Sequence, residues 1–63
     1  MVTSAKEALY HINHSEYLYE IGQISFSALE TKLEYFVGIL YQYDSLKADS
    51  ERRRLNNKYG FSI

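Results

Sequence analysis

Leu29, Leu33, Phe36, Leu40 and Tyr43 recur at alternating intervals of four and three residues. That spacing lays them along one side of an α-helix, with Val37 and Ile39 flanking the stripe. A strand over residues 35–41 would have the right β-favouring residues, but it lacks the period-two alternation of a half-buried strand. The 63 residues contain no proline and only three glycines, so little interrupts a long helix. The expected class is all-α.

Local chemistry sets the helix boundaries. Ser4-Ala5-Lys6-Glu7 has the form of a capping box, and Gly22 is a natural stop, which predicts a first helix over about 4–21. Its apolar residues form two stripes: Ala5, Ala8, Leu9, Ile12 and Tyr19 on one side, and Tyr10, Tyr17, Leu18 and Ile21 on the other. Either the helix is covered on both sides or it kinks near Asn13-His14-Ser15. A second helix can start at Ser27, where Ser27-Ala28-Leu29-Glu30 repeats the capping box, or at Ser25 with Ile24 and Leu29 as a hydrophobic staple. The apolar stripe ends near Tyr43–Leu46. Asp49 with Arg53 and Glu51 with Arg54 stand at helical spacing and argue for continuation as far as 58, with a tail over 59–63. Gly60 is the expected left-handed cap, and Phe61 can fold back on Leu55.

Size then bears on assembly. Apolar burial for a chain of this length contributes roughly 95–100 kcal/mol. Ordering the backbone and side chains costs roughly 95 kcal/mol. With no cysteine to form a staple, a lone hairpin is marginal. A second helix of about 45 Å beside a first of about 27 Å would also leave its tail uncovered. The expectation is a helical hairpin, helix 4–21 and helix 27–58, pairing into a homodimeric four-helix bundle. Leu9, Ile12, Leu29, Leu33, Phe36, Leu40 and Tyr43 would form its core and dimer seam.

Several function classes lack their signatures. There is no phosphate-binding glycine loop, no nucleophile elbow and no cysteine, so no catalytic residue is assigned and an enzyme is not expected. Glu7, His11 and His14 share a helix face at metal-ligand spacing, but no second half-site completes them; no metal and no cofactor are expected. The longest apolar run is too short to cross a bilayer, and residues 1–7 lack a signal-peptide core. These features point to a cytoplasmic protein without a membrane partner.

The charge is unevenly placed. Residues 1–51 hold three lysines against eight acids, whereas 52–63 hold Arg52, Arg53, Arg54 and Lys58 with no acid. A basic helix end of this kind is a solvated terminus, a site for an acidic protein surface, or a nucleic-acid contact. A helix-turn-helix does not fit, since no turn separates Ala28 from Asn56 and Gly38 is followed by polar residues where buried ones would be needed. Seven tyrosines suit a partly wet docking surface. Tyr35 and Tyr41 point in different directions from the seam and join the basic cluster as candidate partner contacts. Gly38 either admits another helix or is a tolerated exposed glycine.

The opening Ser-Ala-Lys-Glu-Ala-Leu-Tyr-His, the seam from Leu29 to Tyr43, the Arg52–Arg54 cluster and the Tyr59-Gly60-Phe61 tail together resemble the small all-helical early proteins of lambdoid phages, encoded between the exonuclease and excisionase genes. The resemblance implies an accessory regulator that biases phage development or host physiology through protein contacts in the host cytoplasm. It assigns no individual residue. A nucleic-acid-binding factor using the basic end of the second helix is the alternative.

Overall fold

Serine, glycine and aspartate mark out the helices. A computed structural model describes all 63 residues and contains three: α1 (Ala5–Glu20), α2 (Phe26–Tyr43) and α3 (Ser45–Tyr59). Ser4 Oγ accepts the Glu7 amide at 3.2 Å. The Glu7 carboxylate takes the Thr3 hydroxyl and makes no reciprocal bond to Ser4. The helix runs unbroken through His14, so there is no kink. It ends in a Schellman motif: Gly22 sits at φ +77° while Gln23 N donates to Leu18 O at 2.8 Å and Gly22 N to Tyr19 O at 3.0 Å. Of the two starts open to α2, the chain uses Ser25, whose hydroxyl accepts the Ala28 amide at 3.1 Å.

The continuous second helix is corrected at Asp44. This residue is extended (φ −156°, ψ 90°) and serves two helices at once. Its N–H donates to Leu40 O at 2.8 Å, closing α2. Its Oδ1 accepts the Lys47 amide at 3.0 Å and its carbonyl accepts the Ala48 amide at 2.9 Å, opening α3. There is no loop between them. The break turns α3 back onto α2, and the molecule spans only 29 Å in its longest direction. One helix over 27–58 would have needed about 45 Å. The chain is therefore a three-helix fold and not a hairpin, and the uncovered tail that favoured a four-helix bundle is absent. Its accessible surface, 4099 Å², is close to the ~4,200 Å² expected of a compact monomer this size.

The core lies between α2 and its two neighbours. Ala8, Ile12, Leu29, Leu33, Leu40, Ala48 and Leu55 are fully buried, with Val37 and Phe61 nearly so. On α2 the buried row is Leu29, Leu33, Val37 and Leu40, the drift of a straight 3.6-residue helix rather than a heptad. Val37 therefore takes the place expected of Phe36, which is half-buried, as is Leu9. Tyr43 lies outside the core, with its hydroxyl 3.3 Å from Val2 O. Gly60 caps α3 in the left-handed conformation with a single bond from its N–H to Asn56 O. Phe61 then turns into the same cluster as Leu55. The tail is held as well: Asn56 Oδ1 accepts the Ile63 amide at 3.2 Å.

Candidate interaction surface

The backbones of α1 and α3 make no close approach; long side chains join them. Glu16, its side chain only 9% exposed, accepts from Arg54 at both oxygens, 2.6 Å from Nη2 and 3.3 Å from Nη1. Lys58 Nζ at 3.1 Å and Tyr59 Oη at 2.9 Å complete its shell. Burial opposes ionisation of Glu16, but these donors outweigh it and hold the carboxyl below its ordinary range. Lys58 also reaches Glu20 at 3.7 Å and lies over the Tyr59 ring.

The rest of the basic cluster is likewise paired. Asp49 accepts from Arg52 at 2.6 Å and forms an ion pair with Arg53 at 2.7 Å. Tyr41 Oη donates to the same carboxylate at 3.2 Å and accepts Arg52 Nε. Arg54 also bridges to Glu51 at 3.0 Å. Acids on α1 and α3 thus hold Arg52, Arg53, Arg54 and Lys58 within the chain. Only Arg53, 72% exposed, extends its charge well into solvent. Arg54 and Lys58 reach Glu16, and Lys58 reaches Glu20, within one chain. The pairs at helical spacing can be read from sequence; Glu16 with Arg54 carries no local signal.

The aromatic residues fall into two groups. Tyr19, Phe26, Tyr59 and Phe61 close one end of the helices, with Phe26 and Phe61 centred 4.9 Å apart. The other group is a strip over the outer surface of α1 and onto α2. Tyr17 lies against His14, His14 stacks on Tyr10 at 5.7 Å, and Tyr10 meets His11 edge-on at 5.4 Å. His11 stacks on Phe36 at 4.8 Å, and Phe36 meets Tyr35 at 5.1 Å. Tyr10, Tyr17 and Tyr35 are 60%, 54% and 64% exposed. The second stripe of α1 thus remains largely uncovered. His11 and His14 serve as rungs between tyrosines, and no three His, Asp or Glu side chains converge to hold a metal.

Beside Tyr35 lies one shallow depression, lined by Thr31, Glu34, Tyr35 and Gly38. Gly38 is exposed, and a Cβ added there would meet no atom within 4 Å. Tyr35 therefore belongs to both the strip and the depression, whereas Tyr41 is committed to the Asp49–Arg52 network. No helix is long and apolar enough to cross a membrane. Comparison with protein-family models, curated proteins and solved structures returns no match.

Proposed function

We infer that this chain is a non-enzymatic protein-interaction module, docking through the aromatic strip from Tyr17 to Tyr35. One observation carries the reading. Six rings in mutual contact cross two helices, with three tyrosines more than half exposed. Tyrosines of this kind present large, stiff apolar area at small entropic cost, the chemistry that dominates interface cores. The reading suits an accessory regulator of phage type acting on a host or phage protein in the cytoplasm. It moves the expected docking surface away from Arg52, Arg53 and Arg54, whose pairing weakens the case for nucleic acid. A homodimer fits only as strip-to-strip pairing of two three-helix protomers.

The test compares capture from bacterial lysate by the native chain, by Tyr10→Ser/Tyr35→Ser and by Arg52→Gln/Arg53→Gln, each with and without nuclease. A protein retained by the native and arginine-substituted chains, lost with the tyrosine pair and indifferent to nuclease, supports the reading. Loss on nuclease treatment, or loss confined to the arginine variant, overturns it in favour of the basic helix end. Sedimentation in which the native chain is dimeric and the tyrosine variant monomeric assigns the strip to self-association.

A further inference from the structure

Gly38 follows Thr31 by seven positions, about two helical turns, so both lie along the middle of the depression on α2. Glu34 stands on one side and Tyr35 on the other. The Thr31 hydroxyl is turned back to Ser27 O at 3.1 Å, leaving the middle without a free polar group of its own. Glu30 lies one turn before Glu34, on the same flank.

Charge gives this face its character. Asp49, Glu16, Glu20 and Glu51 are ion-paired, Asp44 caps α3 and Glu7 holds Thr3. Glu30 and Glu34 have neither a salt bridge nor a side-chain hydrogen bond. They repel one another at i,i+4, and Lys32 sits two residues from each, roughly 200° round the helix from either. The same face carries a glycine in a helix interior, which is unfavourable there, and nothing in this chain comes close enough to require it. Two locally unfavourable choices therefore coincide on one exposed face, around the one depression and beside the end of the aromatic strip.

We propose that the depression over Thr31 and Gly38 seats a lysine- or arginine-bearing helix of the partner protein. Gly38 lets that helix approach the α2 backbone. Tyr35 covers the alkyl stem of the basic side chain and offers its ring face to the cation. Glu34 and Glu30 receive the charge and are relieved of their mutual repulsion. The proposal rests on the docking reading above and specifies the partner chemistry at one end of the strip. The chain's own basic helix end is a poor occupant, because Arg52, Arg53, Arg54 and Lys58 are paired with its own acids. Lys6, Lys32 and Lys47 have no such pair, so a second copy is an outcome of the test: sedimentation in which a native dimer becomes monomeric with Glu30→Gln/Glu34→Gln overturns the partner assignment.

A displayed library of random 16-residue peptides, selected on the intact chain, tests this directly. Enriched peptides are expected to place lysine or arginine three or four residues from an aromatic or aliphatic anchor. For a synthesised winner, Glu30→Gln/Glu34→Gln should weaken binding about five- to tenfold at low salt, and Gly38→Leu should abolish it. The glutamate effect should vanish when the peptide's basic residue is replaced by glutamine. Thermal melting checks that each variant is folded. Winners that need Tyr10 and Tyr35 but lack basic residues, or ignore the glutamate and glycine variants, overturn the basic-helix proposal and leave the docking reading standing. Winners indifferent to Tyr10 and Tyr35 as well, or no enrichment at all, overturn both.

Discussion

Glu16 and Arg54, separated by thirty-eight positions of chain, are joined at two points: Nη2 lies 2.6 Å from Oε1 and Nη1 3.3 Å from Oε2. Replacing Glu16 by glutamine removes the charge that Arg54, Lys58 and Tyr59 all address. The expected cost is about 1.5–3 kcal/mol, the range for hydrogen bonds to a charged group. Arg54→Gln should cost less, because Lys58 and Tyr59 still satisfy the carboxylate. Urea midpoints of the two variants give the ordering.

The same cluster predicts the pH profile. The folded-state pKa of Glu16 is depressed, so its contribution is present above the ordinary glutamate value, about 4.3, and is lost as pH falls through the lower folded value. At the alkaline end the Glu16 contact raises the Lys58 pKa, while burial and then Glu16 raise that of Tyr59. Their stabilisation persists up to about pH 10 and is lost as pH rises through the raised folded values. Melting temperature against pH should be flatter on both sides in Glu16→Gln. An unchanged alkaline side would show that Lys58 and Tyr59 do not depend on this carboxylate.

Arg52, Arg53 and Arg54 are not equivalent. Arg52→Gln/Arg53→Gln removes solvent-screened pairs and should leave the urea midpoint nearly unchanged. Adding Arg54→Gln should lower it further by releasing Glu16. The triple variant is therefore a fold variant as well as a surface variant, contrary to what a freely solvated basic end would give. Denaturation of the double and triple variants side by side measures the difference.

Leu33→Ala and Leu40→Ala should each cost about 2–5 kcal/mol, a large share of the stability of so small a domain. Leu55→Ala belongs with them because it is also fully buried. Phe36→Ala should be milder, since that ring is half-exposed. Circular dichroism of the four variants ranks them.

Gly38→Ala should stabilise the protein by about 1 kcal/mol, because the added methyl meets nothing and the helix gains propensity. The expected rise in melting temperature is about 4–8 °C. A fall would mean that the helix needs glycine there for its own packing.

The sequence is most legible where the chemistry is short-range. Ser4, Gly22 and Gly60 bond to backbone groups a few residues away, and their capping roles follow from spacing alone, whereas spacing leaves Ser25 and Ser27 both open and places the helix at 27. Asp44 is different. It is a good N-cap residue, but helix-supporting pairs resume after it, and the break depends on Ala48 and Leu55 returning to a core that local pattern does not display. The heptad spacing chose Phe36 over Val37 because it assumed a partner helix along a supercoil; α2 instead faces two neighbours of its own chain. The aromatic strip was half legible. The second stripe on α1 was visible, but its continuation through His11 onto Phe36 and Tyr35 required the docking of α1 on α2.

Asp44 leaves no spare residue between α2 and α3, so the rotational phase of α3 is inherited from α2 through a single backbone unit. One residue inserted after Asp44 and taken up in the first turn of α3 would turn everything downstream by about 100° and advance it about 1.5 Å along the helix axis. Leu55 would swing off the core and Arg54 off Glu16 together, although neither side chain had been altered. Chain length at this joint is therefore as tightly constrained as residue type is in the core.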